Sequence, residues 1–255
     1  MSDDILEKTP PPADARLTYG SDPNQFGDLR LPKTGKPSPV VMNIHGGFWR
    51  AKYGLAHAGH LCAALTQSGV ATWNLEYRRV GDPGGGWPGT FEDIVSGYRF
   101  IPQIAKRYNL DPSRTLVMGH SAGGQLALCL AAHEATVERV ISLAGVLDLQ
   151  EAHRLQLSHD AVGEFLGGTP TAMADHYREA DPMVIKIPTA HQIVVHGTID
   201  DTVPFSFSEN YEKEKKKRGE KVELRAISRV GHYELIDPRT EAFAQVRDAV
   251  RRLFA

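Results

Sequence analysis

The most informative stretch of this 255-residue chain is LVMGHSAGG, residues 116–124. Three apolar residues lead into Gly119, Ser121 follows two places later, and two more glycines precede the apolar run QLALCLAA. Glycine beside a regular element costs backbone entropy, so three glycines around one serine indicate a steric demand. A buried strand that turns abruptly into a helix makes that demand, because a Cβ at Gly119 or Gly123 would collide with the opposite limb. The pattern G-x-S-x-G in this context predicts a nucleophile elbow that presents Ser121 above a sheet.

Apolar, β-branched runs recur along the rest of the chain and alternate with helical patterns. The runs occupy residues 39–46, 69–77, 115–119, 139–145, 192–197 and 222–228. Strands that are buried on both faces and separated by helices predict an α/β fold with a mostly parallel sheet and right-handed crossovers. RLTYG and FGDLRLP, which precede these runs, predict an antiparallel pair at one edge of the sheet. One domain over residues 1–255 is the simplest arrangement for 41% hydrophobic residues.

One stretch interrupts the alternation. Residues 148–188 carry helical fragments that glycines and prolines break, and they are longer than a plain crossover requires. Insertions at the carboxyl ends of strands in open α/β sheets commonly cover the ligand crevice. We therefore expect a small helical cap here, with a purely structural excursion as the alternative.

A serine hydroxyl needs a base to take its proton and an acid to orient that base. His232 stands just after the last predicted strand, in RVGHYELIDP, and is the expected base among 11 histidines. HGTIDDTVP, which follows an apolar strand, offers two adjacent aspartates. The spacing H-G-x-x-D-x-x-V favours Asp200 as the acid, while Asp201 and Asp148 remain alternatives.

The oxyanion of an acyl-transfer reaction needs backbone donors near an early strand and after the nucleophile. HGGFW, residues 45–49, has two glycines that free its backbone to turn. We expect the amides of Gly47, Phe48 and Ala122 to form this oxyanion hole. The alternative is a glycine turn that closes a strand and has no further role.

HGGFW, GHSAGG, HGTIDDTVP and GHYELID occur in this order and span nearly the whole chain. Together they resemble the α/β-hydrolase superfamily, and most closely its small bacterial esterase and kynurenine-formamidase-like branch. The resemblance implies an α/β-hydrolase fold with a Ser121–His232–Asp200 triad. H-G-G-x-W is typical of the formamidase-like proteins, whereas Phe48 stands where hormone-sensitive-lipase relatives carry a third glycine. EYRRVGD and EFLGGTP resemble segments of small bacterial esterases.

Composition excludes several other classes of function. The formal net charge of −2 suggests neither a nucleic-acid partner nor an anionic membrane, and the mixed-sign run EKEKKKRGEK indicates a solvated helix face. The acidic, proline-broken start lacks the order of a signal peptide, so a cytoplasmic protein is expected. Cys62 and Cys129 are expected to be buried free thiols. Neither a metal nor a cofactor is expected, and the oligomeric state stays open.

The sequence thus predicts a serine hydrolase that acts on a small-molecule carboxylic ester. An arylformamidase and a noncatalytic ligand-binding protein on the same fold are the alternatives. An activated alcohol leaves more readily than an amine, which favours esters over formamides. Three aromatic residues could line the mouth of the site, although each is equally consistent with the core: Trp49, Trp87 and Phe165.

Overall fold

The computed structural model describes residues 3–255, so the first two residues of the acidic opening segment lie outside the described part. Eight strands form one sheet in the order β1-β2-β4-β3-β5-β6-β7-β8. The strands are β1 (Ala15–Thr18), β2 (Phe26–Arg30), β3 (Ser38–Ile44), β4 (Ala71–Leu75), β5 (Leu110–His120), β6 (Arg139–Leu143), β7 (His191–Gly197) and β8 (Val222–Ile227). All neighbours from β4 to β8 pair in parallel, whereas β2 is antiparallel to both β1 and β4. The expected parallel sheet and its antiparallel edge are both confirmed.

Helices connect the parallel strands and cover both faces of the sheet. They are α1 (Gly59–Gln67), α2 (Gly89–Tyr108), α3 (Ala122–His133), α4 (Leu149–Arg154), α5 (Ala161–Leu166), α6 (Ala174–Ala180), α7 (Ser206–Lys217) and α8 (Ala242–Phe254). Successive strand residues point to opposite faces. Val117 of β5 therefore packs in one apolar cluster with α2, α3 and α7, while Leu116 and Met118 pack in a second cluster with α1 and α8.

The insertion between β6 and β7 consists of the three short helices α4, α5 and α6. Asp148 caps α4 by accepting the Glu151 amide at 2.9 Å, and Asp160 caps α5 through the Gly163 amide. The loop between these helices is strained, because several residues without glycine's freedom have positive φ there: Gln156, Ser158, His159 and Asp160. The helical fragments expected over residues 148–188 are present, and Ser158 in their loop lines a cavity together with Ser121. That this insertion, here called the cap, covers a bound substrate stays a prediction.

Two further expectations meet different outcomes. Cys62 and Cys129 are buried free thiols, as expected. The charged run on α7 is not wholly solvated, because Lys215 is fully buried and donates to the Ile185 carbonyl, with Glu220 Oε1 3.5 Å from its Nζ. A charge pattern alone does not show which lysine the neighbouring cap will cover. Within residues 3–255 we find no helix long and apolar enough to cross a membrane.

Candidate active site

Ser121 lies at the turn between β5 and α3. Its backbone has φ 57° and ψ −122°, a region that residues with a side chain seldom adopt. The Ser121 amide donates to the Leu143 carbonyl of β6 at 2.8 Å, which ties the turn to the neighbouring strand. Such strain persists only where the surroundings enforce it, and it is a feature of functional turns. The strand-turn-helix geometry expected for this serine is present.

Gly119 and Gly123 are required by close backbone approaches. A Cβ at Gly119 would lie 2.0 Å from the Gly123 carbonyl oxygen, so the two limbs of the turn touch as expected. A Cβ at Gly123 would instead lie 2.1 Å from the carbonyl oxygen of Ile44. The second collision is therefore with the end of β3 and not with the opposite limb, because α3 begins directly against that strand.

His232 and Asp200 meet at the carboxyl edge of the sheet, in the loops after β8 and β7. His232 Nδ1 lies 2.7 Å from Asp200 Oδ2, and both side chains are buried. The amides of Thr202 and Val203 donate to Asp200 Oδ1 at 2.9 and 2.8 Å. Burial acts to raise the pKa of Asp200, but the hydrogen bonds from His196 and His232 outweigh it and hold this pKa well below its usual range. Asp200 is therefore an ionised acceptor that fixes the imidazole of His232.

His196 is a second imidazole that contacts Asp200. Its Nε2 lies 3.1 Å from Asp200 Oδ2 and 3.1 Å from the Val203 carbonyl, and its Nδ1 lies 2.6 Å from Ser208 Oγ. Two acceptors at Nε2 place the proton on that nitrogen, so the Ser208 hydroxyl donates to Nδ1. The sequence signal for this contact was present in the H-G-x-x-D spacing itself.

The alternative acids occupy other places. Asp201 is exposed, and its carboxylate accepts the Thr202 hydroxyl at 3.4 Å. Asp148 caps α4 and lines a separate cavity together with Asp181. Burial raises the pKa of Asp181 to about 7, and the neighbouring Asp148 carboxylate acts in the same direction. Among the three aspartates weighed from the sequence, the hydrogen bond to His232 belongs to Asp200.

The HGGFW loop ends beside Ser121. A Cβ at Gly46 would lie 2.9 Å from the Ser121 Cβ, so only glycine lets the loop come this close. Gly47, Phe48 and Trp49 all have positive φ, at 114°, 49° and 56°. Among residues 3–255, no hydrogen bond uses the amides of Gly47, Phe48 or Ala122 as donors. An oxyanion hole requires backbone amides that have no other acceptor.

Residues of the EYRRVGD segment hold the HGGFW loop in place through buried hydrogen bonds. His45 Nε2 lies 2.8 Å from Glu76 Oε1, and the Tyr77 hydroxyl donates to the His45 carbonyl at 2.8 Å. Glu76 also pairs with Arg79, whose Nη1 is 2.7 Å from Oε1, and accepts the Leu55 amide at 2.9 Å. A buried network with its partners in place makes the strained loop rigid.

A cavity of about 90 Å³ joins these elements. Its lining residues are Leu6, Gly47, Phe48, Tyr53, His57, His120, Ser121, Ser158, Thr202, His232 and Tyr233. Ser121 and His232 share this cavity, although within the described residues no hydrogen bond joins them. Such bonds often tighten only when substrate binds. Burial, together with the nearby His45, lowers the pKa of His57 to about 3, so His57 is neutral.

Trp49, Trp87 and Phe165 do not line this cavity, which corrects the expectation that they contact substrate. Trp49 and Phe165 are 0% and 1% exposed and stack with ring centroids 4.6 Å apart, while Trp49 Nε1 donates to Gln125 Oε1 at 3.0 Å. Trp87 stacks on Phe91 at 5.1 Å. Trp49 and Phe165 lie in the core and Trp87 is partly buried against it, because burial of aromatic area is stabilising. The sequence did not show whether these rings point to the cavity or to the core.

An eight-stranded sheet of this order, with a serine at a strand-to-helix turn and a histidine–aspartate pair after its last two strands, defines an α/β-hydrolase. The chain belongs to the BD-FAE family, whose sequence profile matches residues 28–214. The relation to α/β-hydrolase esterases expected from the four motifs is therefore confirmed.

Curated relatives and solved structures agree with this placement. A protein of Oryza sativa subsp. japonica, named "probable isoprenylcysteine alpha-carbonyl methylesterase", is 28% identical over 82% of this chain and 55% of its own length. Neutral cholesterol ester hydrolase 1 of Rattus norvegicus is 33% identical over 46% of this chain and 30% of its own length. The chain thus spans about half or less of these relatives. A truncated carbohydrate esterase from gut microbiota shares the fold with a TM-score of 0.83 at 20% identity, covering 97% of this chain and 99% of that one.

Proposed function

We propose that this protein is a serine carboxylesterase that hydrolyses small carboxylic esters with short acyl groups. The proposal rests on one observation. The strained turn at Ser121 lies in the same small cavity as His232, and the ionised Asp200 holds Nδ1 of His232. Relatives named as methylesterase and cholesterol ester hydrolase support ester hydrolysis as the reaction class.

The roles follow from the hydrogen-bond geometry. A carboxylate at 2.7 Å keeps the proton of a neutral His232 on Nδ1, so the Nε2 lone pair is free to take the proton of the Ser121 hydroxyl. Ser121 Oγ then attacks the ester carbonyl, and the free amides of Gly47, Phe48 and Ala122 hold the resulting oxyanion. His232 returns the proton to the leaving alcohol. Water, activated by the same imidazole, releases the acyl group from Ser121.

The size of the cavity supports a short acyl group. The cavity beside Ser121 measures about 90 Å³, well below the roughly 300–1,000 Å³ typical of sites that take drug-sized ligands. This size favours a small acyl group such as acetyl, with its three non-hydrogen atoms, over a long chain such as octanoyl. The separate cavity at Asp148 and Asp181 is open to larger groups but has no nucleophile.

A substrate series tests this proposal. We expect kcat/KM for p-nitrophenyl acetate or butyrate to exceed that for the octanoate ester and for N-formylkynurenine by about tenfold or more. Ser121→Ala should remove hydrolysis of all of them. Hydrolysis that persists in Ser121→Ala would overturn the proposal, and a clear preference for N-formylkynurenine would replace the esterase with an arylformamidase that uses the same residues.

A further inference from the structure

The segment before β1 passes the catalytic cavity, and we propose that Leu6 on this segment is the wall that limits the acyl chain length of the substrate. The inference rests on the proposed esterase function and deepens it. Leu6 is half-buried at the end of the short 3₁₀ helix Asp3–Leu6 and lines the cavity with Ser121 and His232. It lies more than a hundred residues from either of them in the sequence.

Ile5 fixes the position of this wall. Its side chain is 1% exposed and packs in the apolar cluster that contains Leu235 and Phe243, close to the loop of His232. Adjacent residues of a short turn point in different directions, so Ile5 enters the core while Leu6 turns to the cavity. Burial of an aliphatic side chain contributes more than an exposed ion pair does. The burial of Ile5 therefore mainly determines how far Leu6 reaches into the cavity.

Polar contacts hold the two ends of the segment. Arg239 Nη2 and Nη1 lie 2.6 and 3.2 Å from the two carboxylate oxygens of Asp4, and Asp237 holds the same guanidinium. Further along, Arg30 Nη2 donates to the Pro11 carbonyl at 2.9 Å. The ion pair between Asp4 and Arg239 is about half-exposed and is screened by salt. It therefore orients the segment and adds little to its stability.

The side chains that line the cavity suit the aliphatic end of an acyl group. Leu6 is the one aliphatic side chain among the described residues that line this cavity, and Phe48, Tyr53 and Tyr233 supply its aromatic surface. Truncation of Leu6 to alanine removes three carbon atoms at the wall, about the difference between an acetyl and a pentanoyl group. Replacement by phenylalanine adds volume to a cavity that has little to spare.

The test is the acyl-length profile of two opposite variants and a matched control. We expect Leu6→Ala to raise the ratio of kcat/KM for p-nitrophenyl hexanoate over acetate by at least about tenfold, since one well-placed methylene is worth 10-fold or more. Leu6→Phe should lower the butyrate-to-acetate ratio by about the same factor. Leu155→Ala, at a leucine that is 40% exposed and does not line the cavity, should leave both ratios within about twofold.

The two proposals fail in different ways. If acetate hydrolysis depends on Ser121 but both ratios stay unchanged in Leu6→Ala and in Leu6→Phe, the wall is elsewhere and the esterase proposal stands. If acetate hydrolysis survives Ser121→Ala, the esterase proposal falls and the role of Leu6 falls with it. If the cavity collapses in Leu6→Ala and its ratio stays unchanged for that reason, Leu6→Phe still tests the proposal. The shift expected for Leu6→Phe is in the opposite direction and does not require a larger cavity.

Discussion

Replacement of Asp200 by asparagine tests the assignment of the acid. The carboxylate accepts four hydrogen bonds, from His232, His196 and the amides of Thr202 and Val203. The asparagine oxygen can keep both amides, so the fold should survive. Its NH₂ group would then face His232 Nδ1 as a donor, which shifts the imidazole proton to Nε2 and leaves no base for Ser121.

The expected loss has two parts. With Nδ1 and Oδ2 2.7 Å apart, the charge centres of an imidazolium and the carboxylate are roughly 4 Å apart, which at an effective dielectric constant of 20 is about 4 kcal/mol. That energy corresponds to nearly a thousandfold in rate, and the wrong tautomer adds to it. We therefore expect Asp200→Asn to lower kcat by about 10⁴, the effect that this change has in a Ser-His-Asp triad.

The assay is steady-state hydrolysis of p-nitrophenyl acetate, with circular dichroism to establish that each variant is folded. Asp201→Asn is the matched control, because Asp201 is exposed and adjacent. Its kcat should stay within about twofold of the wild-type value. A folded Asp200→Asn protein that keeps more than a tenth of wild-type kcat, or an Asp201→Asn protein with the larger loss, would show that Asp200 is not the acid that orients His232.

Three more variants probe the support of the site. Gly119→Ala places a Cβ 2.0 Å from a carbonyl oxygen and should lower the free energy of unfolding in urea by about 3 kcal/mol or more, whereas Gly35→Ala, with open space around it, should change it by less than about 0.5. Ser208→Ala leaves His196 Nδ1 without its partner and should lower kcat about tenfold, while an unchanged kcat would show that His196 does not help to hold Asp200. The raised pKa of Asp181, about 7, means that its contribution to stability is present below pH 4 and is lost as pH rises through 7. As pH rises from 4 to 8, the free energy of unfolding of Asp181→Asn in urea should therefore increase relative to that of the wild type by up to about 4 kcal/mol. A difference that does not vary with pH would contradict this pKa.

The sheet and its serine turn could be predicted because their determinants are local in sequence. Doubly buried parallel strands need continuous apolar runs, and the close approach at Gly119 needs glycine. The pairing of His232 with Asp200 was also predictable, since parallel strands bring their carboxyl ends to one edge of the sheet. The collision partner of Gly123 was not, because it belongs to β3, about 80 residues earlier.

The lining of the cavity depends on packing that the sequence does not reveal. Trp49 and Phe165 stack on each other in the core, and no local pattern distinguishes that outcome from two rings at a mouth. Leu6 approaches the site from a segment that the sequence characterised only as acidic and broken by prolines. Side chains that close a cavity come from separate parts of the chain, so their roles emerge only from the three-dimensional arrangement.

Covalent trapping of Ser121 tests whether this serine is the nucleophile. The folded protein and Ser121→Ala are incubated with a fluorophosphonate probe, and intact mass and peptide mass spectrometry locate the adduct. We expect one adduct per chain, on the peptide that contains Ser121, and none on the alanine variant. A folded wild-type protein that stays unlabelled, or an adduct on another residue that survives in Ser121→Ala, would contradict the assignment of Ser121 as the nucleophile.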